Sequence, residues 1–431
     1  MNGRKGVVLL LMGLLVLIPL VNAPHAKAAV DLSQWKYSTQ VTIYNRMSVP
    51  LNDFQVAVVL TASNFDFSKA KPNGADIRFV DAQGNLIPYW IEYWNSTSKQ
   101  AKIWIKVSIP ASSKITVRML YGNPTATYAG NGNAVFVFFD DFNEKHLDTS
   151  KWAVGYGNWS VQDGVLIQTA PFTPNALPYI YAKNLNIANG IVEMKFSPEN
   201  AVCVGCYHVG TTVFVRYSLS TGKSYTANAG GYGYAYEIAL WPVPLDGWYV
   251  LNKTGDQASL EYNITYHFKF TFVGSHLVFD VLQGSLAGTH LEAYNSSLKS
   301  GTIGISSWKN PRVDWIFVRK YAKIEPQVVV GATSPNTMFS SRLLQASVFW
   351  YLRYQQMHEE YPALYQMAVQ HNVSNETLSL SKAQAKLAEE YFSKISTDMV
   401  LKGNIMAVPY IRKAYLHMKA AIDILEDALN G

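Results

Sequence analysis

Apolar and polar positions along the chain change their period twice, and the changes divide it into three parts. From Trp35 to Leu120 the pattern is short and alternating: "KYSTQVTIYN", "DFQVAVVL", "ADIRFVD", "IPYWIEYW", "AKIWIKVSI" and "KITVRMLYG". A period of two over this length marks a strand with one buried face. The stretches between them, "NRMSVPLN", "AKPNG" and "DAQGN", carry turn residues. About seven such strands in roughly 100 residues predict an antiparallel sandwich. In "IPYWIEYW", alternation puts Trp90, Glu92 and Trp94 on one face and Tyr89, Ile91 and Tyr93 on the other. The Gly/Asn-rich "YAGNGNA" closes this unit.

A second block begins at "VFVFFDDF", an apolar run that ends in two adjacent carboxylates, Asp140 and Asp141. It continues through "GVLIQTA", "GIVEMKF", "TTVFVRYSL", "YGYAYEIALW", "HFKFTFVG", "HLVFDVLQG", "SGTIGISSW" and "VDWIFVRKYA". About a dozen strands in about 200 residues fit a larger two-sheet sandwich or jelly roll. After "GATSPNT" the period becomes helical. Ile411, Tyr415, Met418, Ile422, Leu425 and Leu429 mark one helix face, and Ala383, Leu387, Tyr391 and Ile395 mark a second. A third candidate, Leu344 to Gln370, is interrupted by Pro362. Such a tail folds as a three-helix unit or self-associates as a coiled coil.

The expected organisation is therefore mainly β. Residues 1–28 form a signal peptide, 29–130 a first β-sandwich, 131–333 a second, and 334–431 a helical tail. The signal rests on the basic Arg4 and Lys5, the uncharged run Gly6 to Val21 and the small residues of Ala26-Lys27-Ala28. Kept uncleaved, the same run would be the membrane contact of the chain. Composition agrees with export. Only 15% of residues are charged and 13% are aromatic, with 27 Tyr. The net charge of +6 is spread thinly, with no Lys/Arg run longer than two, which argues against a nucleic-acid partner. Acceptor sequons stand at Asn95, Asn158, Asn252, Asn263, Asn295, Asn372 and Asn375. Cys203 and Cys206, in "CVGC", read as a local disulfide in an exported β protein.

Two resemblances add to this reading. Residues 33–129 resemble domain-of-unknown-function family 2341, found in archaeal and bacterial exported proteins. The likeness is carried by Trp35 with Tyr37, "LNDFQVAVVL", "GADIRFVD", "IPYWIEYWN", "AKIWIKV" and "LYGNPTA". It implies a β-sandwich and no particular activity. Residues 135–323 resemble a concanavalin A-like lectin/glucanase domain, through "FFDDF", "LDTSKW" and "VQDGVL" at one end and "GTIGISSW" and "VDWIFVRKYA" at the other. In family-16 glucanases of this fold an Asp on the last strand binds a structural Ca²⁺ with backbone carbonyls from the start of the domain. The resemblance places Asp314 in that role, with Asp140, Asp141 and the Asp163-Gly164 turn beside it. The alternative is a polar seam in which Arg319 or Lys320 pairs with the acids.

Catalytic signatures are lacking. A retaining glycosidase needs two carboxylates about 5 Å apart, and no Glu-x-Asp-x-Glu occurs. Glu193 and Glu237 stand alone on their strands, and there is no His-Glu-x-x-His or Gly-x-Ser-x-Gly. Binding fits better. Tyr232, Tyr234 and Tyr236 alternate with small residues and would form a row on one strand face, beside Glu237, Trp241 and Trp248. The competing reading packs those Tyr between the sheets. The expectation is thus a secreted or cell-surface, non-enzymatic protein whose partner is a glycan, a polysaccharide or another surface protein. A divergent glycan hydrolase or lyase, and a structural subunit of a surface filament or layer, are the alternatives.

Overall fold

The structure is a computed structural model. It describes residues 31–170, 177–198, 210–231, 234–242, 249–256, 261, 263–307, 311–396, 399–400 and 407–430. The expected signal segment and the Cys203–Cys206 pair lie outside the described residues.

Strands β1 (Tyr37–Asn45), β2 (Leu51–Thr61), β3 (Arg78–Val80), β4 (Leu86–Ile87), β5 (Tyr89–Asn95), β6 (Gln100–Ile109) and β7 (Ser113–Tyr121) build the first sandwich. One sheet has the order β2-β6-β5. The other holds β1, β7, β3 and β4, and its outer strand comes from far along the chain. This is β23 (Gln327–Pro335), which pairs antiparallel with β1 from Tyr37↔Pro335 to Tyr44↔Gln327. Between the two sheets lies a core that includes Val41, Ile43, Phe54, Val56, Phe79, Ile103, Ile105 and Met119.

Pairing of β23 with β1 corrects the expected boundaries. The second sandwich does not follow the first in tandem up to residue 333. It is inserted between β7 and β23, and the first sandwich is completed only after it. Asn336, just past β23, donates to the carbonyls of Leu32 and Trp35 and fastens this return.

The second sandwich starts with the helical turn α1 (Gly132–Val135) and β8 (Phe138–Asp140). It continues with β9 (Trp152–Tyr156), β10 (Trp159–Gln162), β11 (Val165–Gln168), β12 (Tyr179–Ala182), β13 (Gly190–Pro198), β14 (Thr211–Tyr217), β15 (Lys223–Gly231) and β16 (Tyr234–Pro242). It ends with β17 (Tyr249–Asp256), β18 (Tyr266–Val273), β19 (His276–Gln283), β20 (His290–Tyr294), β21 (Thr302–Ser307) and β22 (Pro311–Arg319). One sheet runs β10-β11-β22-β13-β18-β19-β20, with β8 also on β22; the other runs β17-β16-β15-β14-β21-β12-β9. Neighbours distant in sequence, such as β14 beside β21 and β13 beside β22, give the crossed connections of a jelly roll, as the concanavalin A-like expectation requires. The core between these sheets is large and aromatic, with Phe196, Tyr266, Phe268, Phe270, Phe272 and Phe279 among its members.

The two sandwiches share a third cluster. Trp90 and Trp104, on the outer face of the three-stranded sheet, meet Phe136, Phe139, Trp315 and Phe317 on the outer face of the β22-containing sheet. Phe317 stacks on Phe136 at 4.1 Å between ring centroids, and Trp104 and Trp90 meet it edge-on at 5.5 and 6.0 Å. The four sheets are therefore layered through three apolar interfaces. Trp94 does not share this face with Trp90 as strict alternation predicts. The β5–β6 register shifts between Ile91 and Tyr93, and such a bulge reverses the sidedness of the residues beyond it. Trp94 turns into the first sandwich and meets Phe65 and Phe67 edge-on.

The tail contains α2 (Thr337–Gln370), α3 (Asn375–Phe392) and α4 (Ala407–Asn430), with Pro362 accommodated inside α2. Ile411, Met418, Ile422 and Leu425 of α4 are buried, as their spacing predicts. On α3 the buried residues are Leu378, Ser381, Ala385 and Ala388, whereas Leu387 is exposed. The face expected through Ala383, Leu387, Tyr391 and Ile395 is thus rotated. Small side chains at the crossing allow close approach, and the Ser381 hydroxyl donates to the Ala421 carbonyl across it at 2.8 Å. No helix among the described residues is long and apolar enough to cross a membrane.

Candidate functional site

The β17-to-β9 sheet carries one row of side chains across its full width, on the face turned away from the core. Its members are directly opposite one another in successive pairs: Tyr156↔Tyr179, Tyr179↔Ser306, Ser306↔Thr212, Thr212↔Asn228, Asn228↔Glu237 and Glu237↔Lys253. Residues paired in this way project to the same face. Flanking core residues Tyr236 and Ile238 point the other way, so the alternation of β16 fixes the direction of Glu237.

At the centre of the row the groups form a relay. The Thr212 hydroxyl donates to Asn228 Oδ1 at 2.6 Å, and Asn228 Nδ2 donates to Glu237 Oε1 at 3.0 Å. Thr212, Asn228, Glu237 and Ser306 are all buried, with Glu237 only 1% exposed. Glu237 Oε2 and Ser306 Oγ have no hydrogen-bond partner among the described residues. A buried carboxyl oxygen without a donor is costly. Burial pushes the Glu237 carboxyl up to about 7, against the smaller opposing pulls of the Asn228 amide and the Lys253 charge. Near neutral pH this group both accepts and donates hydrogen bonds. The row ends in the exposed Lys253 and Tyr156.

The two expected platform aromatics whose side chains are described, Tyr236 and Trp241, are both buried. Tyr236 is 2% exposed, lies in the inter-sheet core against Phe268 and Phe279, and donates its hydroxyl to the Ser285 carbonyl. Trp241 is buried with Leu177 and Ala239. Tyr232, Trp248 and the side chain of Tyr234 lie outside the described residues. Only Glu237 of the expected set stands on the polar row. Its partner Asn228 is not apparent from local pattern, because a cross-strand neighbour nine positions away depends on hairpin register.

Among the described residues no second carboxylate stands on the row. Glu193, the other lone strand Glu, belongs to the opposite sheet. Its oxygens accept from Arg319 Nε at 2.9 Å and pair with His267 Nε2 at 3.0 Å. Burial raises this carboxyl, but Arg319 and His267 outweigh it and hold the group well below the usual carboxylate range. Arg319 also pairs with Glu325 and lies 5.1 Å from the Trp104 ring centroid. It therefore ties the seam to the chain returning toward β23, and does not pair with Asp140 or Asp141 as the polar-seam alternative supposed.

The opening carboxylates part company. Asp140 is turned inward, accepting from Phe142 N at 2.9 Å and Trp152 Nε1 at 2.7 Å. Asp141 and Asp314 instead line a cleft at the seam, and Asp314 pairs with Lys195 at 3.3 Å. Gly164, with φ +75°, sits in the β10–β11 turn near the Asn143 amide oxygen. Ca²⁺ takes six to eight oxygens. Among the described residues no group of three or more His, Cys, Asp or Glu is placed to hold a metal ion. Asp140 is committed to Trp152, while Asp141 and Asp314 stay together on the cleft. Of the sequon residues, Asn95, Asn158, Asn263, Asn372 and Asn375 are exposed, whereas Asn252 and Asn295 are half-buried. Asn252 and Asn295 also make side-chain hydrogen bonds, to the Glu292 carbonyl and the Tyr225 hydroxyl.

A family model described as a domain of unknown function (DUF2341) matches residues 73–155. The match begins before β3 and runs across the seam into β9, later than the 33–129 expected. An uncharacterized protein of Methanocaldococcus jannaschii is 26% identical over 138 residues, 28% of this chain. The chain spans about a quarter of that relative's length, 24%. Similar solved structures include a carbohydrate-binding module from Bacillus subtilis (12% identity, 43% of this chain, 98% of that chain, TM-score 0.30). A beta-glucanase from Bacillus licheniformis is 14% identical, with 43% and 98% covered and a TM-score of 0.31. A GlcNAcα1-4Gal-releasing endo-β-galactosidase from Clostridium perfringens is 13% identical, with 42% and 62% covered and a TM-score of 0.31.

Proposed function

We propose that this is an exported, surface-acting protein that binds a glycan on the polar row of its larger sandwich without cleaving it. The observation that supports this most directly is the Thr212–Asn228–Glu237 relay with its unpartnered carboxyl oxygen. A sugar hydroxyl is at once donor and acceptor, and a carboxyl that titrates near neutrality complements both roles. The tyrosines at one end of the row offer rings for apolar sugar faces. Because the central residues are buried, binding displaces whatever covers them, and the exposed Lys253 and Tyr156 ends make the first contact. Polysaccharide pull-down and glycan-array binding should be lost in Asn228→Ala and weakened in Glu237→Gln. Failure of the wild type to bind any polysaccharide would remove this reading.

The Glu237 carboxyl also favours a second reading, glycan hydrolysis, since a protonated acid near pH 7 is what general acid catalysis uses. The lack of a second carboxylate among the described residues of the row weighs against it. Release of reducing sugar by the wild type, abolished in Glu237→Gln, would establish hydrolysis in place of simple binding.

A further inference from the structure

A cleft of about 400 Å³ opens where the two sandwiches meet, beside the β22-containing sheet and not the sheet that carries the polar row. Two β-bulges shape it. In β5, Ile91 and Tyr93 pair with the adjacent Ile103 and Lys102, leaving Glu92 as the extra residue. In β22, Trp315 and Val313 pair with the adjacent Lys195 and Phe196, leaving Asp314 as the extra residue. Bulges re-aim side chains that regular pairing would keep in line. The walls are Tyr93, Trp94 and Tyr128 from the first sandwich, and Asp141, Asn143 and Asp314 from the second. Tyr93 and Tyr128 are 41% and 48% exposed, so their rings are available to a guest.

The polar groups of this cleft are unbalanced. Asp141 is half-buried and makes no hydrogen bond or ion pair among the described residues. Asp314 keeps one contact, Lys195 at 3.3 Å, with about half of its side chain exposed. Glu92 is already satisfied by Trp104 Nε1 at 2.7 Å and Lys102 at 2.9 Å. The charge left uncompensated in the cleft is therefore negative. An anionic guest is repelled. A hard cation such as Ca²⁺ needs an oxygen cage that aromatic walls cannot supply. Flat rings beside carboxylates suit a guanidinium or an ammonium, which the ring face attracts and the carboxylate binds through charge-assisted hydrogen bonds.

We propose that the inter-sandwich cleft binds an organic cation, a guanidinium or alkylammonium group, between the Tyr93 and Tyr128 rings and the Asp141 and Asp314 carboxylates. This does not depend on the glycan reading, and the two fail separately. The test is calorimetric titration of the full chain with arginine amide, an arginine-containing tripeptide, CaCl2 and glucose. Arginine amide should bind saturably, and Asp141→Asn should weaken it about tenfold. The exposed Tyr93→Ala, which leaves both cores intact, should weaken it several-fold. Glu237→Gln should leave it unchanged. Tighter binding of the tripeptide than of the amide assigns the cation to a polypeptide partner, and equal binding assigns it to a small molecule. Absence of saturable binding, equal affinity in the Asp141→Asn and Tyr93→Ala chains, or displacement of arginine amide by CaCl2 or glucose would overturn the proposal.

Discussion

Replacing Glu237 by Gln should stabilise the chain at neutral and alkaline pH and leave it unchanged in acid. The carboxyl is 1% exposed, and burial raises it from an ordinary value of 4.5 to about 7. An acid shifted upward keeps its proton in the folded state after the unfolded chain has released its own. Its contribution is therefore full below pH 4.5, declines as pH rises towards 7, and levels off above that. At ~1.4 kcal/mol per pKa unit, the decline amounts to about 3 kcal/mol. Gln keeps an oxygen for the Asn228 amide and carries no charge to desolvate, so it escapes the decline. Urea denaturation of both proteins, followed by tryptophan fluorescence between about pH 4 and pH 8, reads the difference directly. The gap should open from near zero to about 3 kcal/mol in favour of the variant. A gap that is constant with pH, or that favours the wild type above pH 7, would refute the assignment of a buried, protonated Glu237.

The seam and the closing strand give three further expected outcomes. Phe317→Ala removes a fully buried ring stacked on Phe136. It should cost about 3–5 kcal/mol and split calorimetric melting into two transitions; a single transition displaced by less than ~1 kcal/mol would show that the seam does not couple the sandwiches. Arg319→Met leaves Glu193 buried opposite only His267 and should cost about 3–5 kcal/mol, with recovery in the Glu193→Gln double variant. Since Arg319 helps hold Glu193 low, that stability is present above the group's ordinary 4.5 and fades as pH falls, and the acid-dependent part should shrink in Arg319→Met. A chain ending at Asn336 should retain the wild-type melting of both sandwiches, whereas one ending at Lys323 lacks β23 and should aggregate through the bare β1 edge.

Most strands are legible in the sequence because alternation and turn residues are local signals. Other features depend on partners that local pattern does not name. "QVVVGATSP" falls at the expected junction of the second sandwich and the tail, yet it is a strand of the first sandwich whose partner β1 lies near the start of the described chain. One skipped residue in β5 sends Trp94 to the opposite side from Trp90. Tyr236 fits a ligand platform on sequence alone and is core in the structure, because the Tyr-Gly-Tyr-Ala-Tyr alternation describes a buried face as well as an open one. Glu237 stands out in the sequence but its relay does not, since Thr212, Asn228 and Glu237 come together only through two successive strand registers. The adjacent Asp140 and Asp141 look like one feature, although neighbours on a strand point apart and here serve different surroundings.

Closure of the first sandwich by β23 also sets an order of events during synthesis. The Ser38 hydroxyl and the Pro335 carbonyl it meets are 297 positions apart. As the chain emerges, β1 has β7 on one side and nothing on the other until the whole jelly roll has been made. Contacts of such long separation form slowly, so the N-terminal sheet waits with a bare edge while the inserted domain folds. The seam aromatics offer a way to shorten that wait. Once Trp315, Phe317 and Arg319 dock on Trp90 and Trp104, the strand still to come is delivered beside its vacancy, and the search for β1 becomes a local one.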